Sequence, residues 1–111
     1  MNSWYQESAK RTLSASFDKA TPLEVQLLYL CTGACGELGE VSDLIKKMVI
    51  HKHGVSPDKL AEEIGDVMWY IACLCETLGL NLDDVMINNI DKLKKRYPNG
   101  FDTEKSINRK D

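Results

Sequence analysis

Apolar residues recur every three to four positions along four separate stretches of the chain, the spacing that lays them on one face of an α-helix. From about Ser3 to Phe17, Trp4, Ala9, Leu13 and Phe17 form a broken stripe that predicts a first helix. A second helix opens where Thr21 suits the N-cap, Pro22 the first helical position and Glu24 the third residue after the cap. It runs to about Ile50, and Leu27, Cys31, Ala34, Leu38, Val41, Ile45 and Met48 read as its buried face. Ser56 and Pro57 repeat the start signal for a third helix, which carries Leu60, Ile64, Val67, Ile71, Leu74, Cys75 and Leu78 inward and stops at Gly79. Asn81 caps a fourth helix from Leu82 to about Arg96, with Val85, Met86, Asn89, Ile90 and Leu93 on one side. Pro98-Asn99-Gly100 ends it, and a polar tail from about residue 102 reads as loosely held. No stretch carries a convincing strand pattern, so the expected fold is all-α and four-helix bundle-like, one domain over residues 1–111.

Composition narrows the partners. With 14 basic and 17 acidic residues, a net charge of −3, the chain has no general field for a nucleic acid polymer or an anionic membrane. It shows neither a cationic leader nor a run of eighteen apolar residues, so a cytoplasmic protein is expected. At 111 residues its core is small and its second helix is longer than a four-helix core needs. Self-association is therefore expected, with Trp4, Tyr5 and Trp69 as contact candidates. The four cysteines are badly spaced for local bridges and include no CxxC, which predicts reduced, buried thiols. His51 and His53 belong to a short loop and read as solvated rather than as metal ligands.

The chemistry is concentrated in two acidic pairs with the same step, Glu37-x-x-Glu40 and Glu63-x-x-Asp66. A step of three on a helix leaves side chains about 60° apart and one turn apart. On a helical wheel both pairs fall on equivalent edges of their apolar stripes, so antiparallel packing of the second and third helices brings all four acids to one flank of the seam. Carboxylates that close repel and take up protons or cations. Oxygen-only ligation suits Mg²⁺, with Mn²⁺ as a substitute, and a magnesium shell is commonly completed by waters and phosphate oxygens. Water held by such an ion ionises more readily, and a carboxylate not fully used in ligation can accept its proton. Gly33, Gly36 and Gly39 interrupt the second helix beside these acids, each at about 1 kcal/mol relative to alanine, and leave room for a neighbouring helix or a ligand. A carboxylate-bridged di-iron site is disfavoured because no histidine follows any acid at the Glu-x-x-His spacing.

Three blocks then carry a resemblance. GELGEVSDLIKK (Gly36 to Lys47), EEIGDVMWYI (Glu62 to Ile71) and NIDKLKKRYPNGF (Asn89 to Phe101) closely resemble the MazG-like all-α nucleoside triphosphate pyrophosphohydrolases. The similarity extends to the WYQESAKRT opening, and the KLxxRYPxGF block makes it more specific than the acids alone. It implies Mg²⁺-dependent cleavage of an NTP or dNTP between the α and β phosphates, giving the monophosphate and pyrophosphate, in a homodimer or homotetramer. Position by position, Glu37, Glu40, Glu63 and Asp66 match the family's metal ligands and catalytic acids, while Asn89, Lys92 and Arg96 match its phosphate-side residues. Tyr70, one turn beyond Asp66, lines the pocket in this reading. Trp69 faces more outward and suits either a base or a subunit contact. Glu62 lies about 100° from Glu63 on the wheel and points away from the seam, and Lys47 is expected to point near Glu40. This chain has GELGE where many relatives carry further acids, which leaves the number of ions open. The competing reading is a non-catalytic nucleotide-binding or protein-interaction module on the same helices.

Overall fold

A computed structural model describes residues 3–13, 17, 18, 20–101 and 103–108. It contains α1 (Trp4–Leu13), α2 (Leu23–Val49), α3 (Pro57–Leu78), α4 (Leu82–Arg96) and a short α5 (Thr103–Ile107). There is no strand among the described residues, and no helix is long and apolar enough to cross a membrane. Of the expected first helix, residues 14–16 lie outside the described residues. Within the polar tail, Thr103–Ile107 form the short α5.

Local chemistry sets most helix ends. Ser56 accepts a hydrogen bond from Lys59 N at the start of α3, where Pro57 needs no partner for its missing N–H. Gly79 ends α3 in the left-handed region at φ 73°, and Leu80 N closes back on Cys75 O at 2.8 Å. Asn81 accepts from Asp84 N to open α4. Thr21, by contrast, does not cap α2. Pro22 occupies that position without a side-chain bond, and the Thr21 carbonyl instead accepts from Gln26 Nε2.

α2 and α3 form a long antiparallel pair joined by residues 50–56. Their seam differs from the stripe the periodicity suggested on α2. Leu30 and Val41 are buried and Leu27, Ala34, Glu37 and Leu44 are half-buried, whereas Cys31, Leu38, Ile45 and Met48 face solvent. α2 is apolar around much of its circumference, so spacing alone did not select the face. The cysteine expectation is corrected on the same ground: all four thiols are free, but Cys31 and Cys35 are exposed and only Cys73 and Cys75 are buried.

α1 packs on α3 and completes a compact core of Ala9, Leu30, Ala72, Cys73, Cys75 and Leu82. Its anchor is Gln6, which is almost completely buried. Gln6 Oε1 accepts from Leu82 N at 2.8 Å, while Nε2 donates to Leu80 O at 2.8 Å and to Glu76 Oε1 at 3.1 Å. One side chain thus ties α1 to the turn between α3 and α4. Beyond Leu82, residues 83–95 of α4 are all exposed, so this helix stands off the α2–α3 pair for most of its length. The Cα radius of gyration is 17.4 Å, against about 13 Å for a compact chain of this size.

Candidate metal centre

The register of the α2–α3 pair determines the site. Gly33 of α2 meets the Tyr70 ring of α3, Glu37 meets Asp66, and Glu40 comes within hydrogen-bonding reach of Glu63. Each rung advances three or four residues up one helix and down the other. Two acidic pairs with the same step therefore fall opposite each other once the first rung is fixed. Gly33 fixes it, because a Cβ at that position would overlap three atoms of the Tyr70 ring.

Oxygens of Glu37, Glu63 and Asp66 all lie within 4.8 Å of one another. Two of these acids stand in the seam itself rather than on its flank: Glu63 is buried, with 7% of its surface exposed, and Glu37 is half-buried. Asp66 and Glu40 are exposed at the margin. The Glu37 Oε2 atom is closed off from solvent and has no hydrogen-bond partner among the described residues. Burial, followed by the charges of Glu40 and Asp66, pushes the Glu37 carboxyl above its ordinary range. Glu40 is raised as well, first through its hydrogen bond with Glu63 and then by that group's charge. Glu63 moves the other way. Lys59 Nζ lies 3.1 Å from its Oε1, and this hydrogen bond holds Glu63 below the usual carboxylate range despite burial.

A cluster of this kind is oxygen-only, crowded and short of positive charge. With an orphaned buried oxygen on Glu37, it fits a hard divalent cation better than it fits an unaided fold.

The other expected residues divide between near and far. Tyr70 is half-buried beside the cluster; burial, then the Tyr29 hydroxyl, then Glu37 and Asp66 raise its phenol. Trp69 stacks edge-on against Tyr70 at 5.0 Å, and its indole N–H donates to Thr12 Oγ1 at 2.8 Å, so it docks α1. Glu62 is exposed and outside the cluster, where its charge acts on Lys59. Asn89 and Lys92 lie on the exposed part of α4 and Arg96 is partly buried at its end. The cation acting on the acids is Lys59, and none of the leading influences on them comes from α4. Lys47 pairs with Asp43 at 3.0 Å rather than with Glu40.

Two site neighbours were not singled out from the sequence. Lys59 had a signal, its i,i+4 spacing to Glu63. Tyr29 had none until the antiparallel register placed its ring 6.3 Å from that of Tyr70.

No solved structure matches the chain. The chain is similar to the Gene 37 protein of Mycobacterium phage L5, with 40% identity over 78 residues that cover 67% of this chain and 68% of the relative. The model of the MazG nucleotide pyrophosphohydrolase domain matches residues 26–101, a span that holds both acidic pairs, the Gly33–Tyr70 rung and the whole of α4. On that match, and with its acids converged across an antiparallel helix pair, the chain belongs to the MazG nucleotide pyrophosphohydrolase domain family.

Proposed function

We propose that the protein hydrolyses a nucleoside or deoxynucleoside triphosphate between the α and β phosphates, releasing the monophosphate and pyrophosphate, with Mg²⁺ bound and Mn²⁺ as a substitute. The observation that carries this reading is the convergence of Glu37, Glu63 and Asp66, with an unpartnered buried oxygen on Glu37, in a chain of this family. Those three carboxylates would hold the ion. Its contribution is charge, which draws electron density from the phosphate oxygens and eases ionisation of the attacking water.

The remaining chemistry belongs to the side chains. Glu40 is the acid left outside the close cluster, and its exposed carboxylate accepts the proton of the water that attacks phosphorus as the bond to pyrophosphate breaks. Tyr70 lines the pocket, and the exposed edge of Trp69 borders it. Asn89, Lys92 and Arg96 bind phosphate oxygens, with the two cations neutralising the leaving group.

Because α4 stands away from the acids within one chain, this role requires assembly into a homodimer or homotetramer. The exposed apolar residues Leu28, Leu38, Ile45, Met86, Ile87 and Ile90 support such an assembly. A small enzyme of the free nucleotide pool belongs in the cytoplasm.

The test is incubation with a panel of NTPs and dNTPs plus Mg²⁺, resolving nucleotide products and pyrophosphate. Turnover of at least one member, lost in Glu63→Ala, is expected. Binding without product from any nucleotide would replace this reading with the non-catalytic module, and light scattering that returned a monomer at micromolar concentration would refute the assembly.

A further inference from the structure

Lys59 is not explained by the function proposed above, yet it is in direct contact with one of the site's acids. Its ammonium lies 3.1 Å from Glu63 Oε1, joining a half-exposed lysine side chain to a glutamate side chain only 9% exposed. Helix geometry does not favour this pair, since a lysine four residues before a glutamate is the weaker of the two orientations. Its position is nonetheless well defined. The Lys59 backbone N–H is held by the Ser56 cap at 3.1 Å, which fixes the first turn of α3 and with it the origin of the side chain. The charges of Glu62 and Glu40 also act on the ammonium.

We propose that Lys59 is a tethered counter-ion that stands in for the divalent cation at Glu63 and is displaced from that carboxylate when the cation binds. This inference rests on the metal reading of the acidic cluster. Glu63 occupies a seam position that solvent barely reaches, with carboxylate oxygens of Glu37 and Asp66 within 4.8 Å, and without an ion its negative charge needs a partner. Lys59 supplies one from a chain that can extend into water when it is no longer needed there. A divalent ion among Glu37, Glu63 and Asp66 places a second positive charge on the same carboxylate, and the two cations repel. The lysine therefore stabilises the metal-free chain and opposes metal uptake. A residue that merely oriented Glu63 for ligation would do the reverse, because losing it weakens metal binding.

The experiment is calorimetric titration of Mn²⁺ into the full chain, without nucleotide, for the wild type, Lys59→Met, Lys59→Gln and Lys59→Arg, paired with thermal melts of each with and without the ion. Lys59→Met and Lys59→Gln are expected to bind Mn²⁺ about two- to fivefold more tightly, the scale of one partly exposed ion pair. Their metal-free midpoints fall and their Mn²⁺-induced upward shifts grow, while Lys59→Arg behaves as the wild type. Unchanged or weaker Mn²⁺ binding in both neutral variants, with a wild type that does bind the ion, overturns the counter-ion role and leaves the metal reading standing. A wild type that takes up no Mn²⁺ overturns both.

Discussion

Gly33 and Gly36 are both interior glycines of α2, one turn apart, and alanine at the two positions should have opposite effects. On helix propensity alone each substitution gains about 1 kcal/mol. At Gly36 nothing lies within 4 Å of the added methyl, so the gain stands. At Gly33 the methyl runs into Cε1, Cζ and Cδ1 of Tyr70, a ring confined between Trp69, whose centroid is 5.0 Å away, and Tyr29 at 6.3 Å. Forcing a methyl into a packed contact of this kind costs about 1–3 kcal/mol. Gly36→Ala should therefore raise stability by about 1 kcal/mol and Gly33→Ala should lower it by up to about 2 kcal/mol, a spread of about 1–3 kcal/mol between two chemically identical changes.

Urea unfolding of both variants measures the difference. Repeating Gly33→Ala in a Tyr70→Leu background isolates the contact, since without the ring the propensity gain should reappear. Equal stabilities for the two alanine variants, or a Gly33→Ala cost that survives removal of the ring, would refute the register from which the acidic site was derived. Because the displaced ring borders Glu37, Gly33→Ala should also weaken Mn²⁺ binding, whereas Gly36→Ala should not.

Gln6→Ala removes the partner of the buried Leu82 N–H and of the Leu80 carbonyl, and should cost roughly 2–4 kcal/mol in urea unfolding, with amide exchange at Leu82 accelerated. A loss below about 0.5 kcal/mol would mean that α1 does not hold the α3–α4 turn. Burial and then the charge of Glu76 push the Cys73 thiol up to about 11. A thiol reagent at neutral pH should therefore leave Cys73 and Cys75 unmodified in the folded chain, and rapid labelling of Cys73 in peptide maps would contradict the core assignment. The metal-free protein should become more stable as pH falls through the range above the ordinary carboxylate value of 4.5 in which the raised Glu37 and Glu40 carboxyls take up protons. The raised Glu37 and Glu40 carboxyls bind protons more tightly folded than unfolded, so their penalty is full above their folded pKa values and is relieved on descent through them. Glu63 has the opposite sign, its contribution being present above the ordinary value of 4.5 and lost as pH drops below it through the depressed folded value. A thermal midpoint in chelator that does not rise as pH is lowered toward the ordinary value of 4.5 would refute this balance. Glu37→Leu should raise the metal-free midpoint by removing an unpartnered buried oxygen, and should abolish the upward shift given by Mn²⁺.

The sequence made the helices and the acidic pairs legible for different reasons. Caps are local, so Ser56-Pro57, Gly79 and Asn81 mark the true ends of α3 and α4, and Arg96 closes α4 where the pattern stopped. The start of α2 was misread because Thr21 has the chemistry of a cap but its carbonyl, not its hydroxyl, took the local partner. The buried face of α2 was hidden by surplus. Leu28, Leu38, Ile45, Met48 and Val49 are exposed in the single chain, so apolar residues cover more of this helix than α3 can bury. The standing of α4 was hidden for a related reason: periodicity reports that a helix has an apolar face but not whether the surface that covers it belongs to the same chain.

The convergence of the acids follows from a smaller set of facts than the fold does. Antiparallel packing reverses the order of residues across the seam, so equal steps on two helices stay matched wherever the register is set. What the sequence lacked was the register itself, a single contact between Gly33 and Tyr70. That contact also explains why the acids lie deeper than the wheel implied. With the ring seated on Gly33, Glu37 one rung on and Glu63 two rungs on fall inside the seam, where a stable helix pair would carry leucine. An acid there weakens the fold unless a cation accompanies it, and the chain keeps two in contact, one with an unpartnered oxygen and the other bridged by Lys59. Helix packing alone has no use for that arrangement, whereas a divalent cation removes both penalties at once by supplying the charge and the missing oxygen partner.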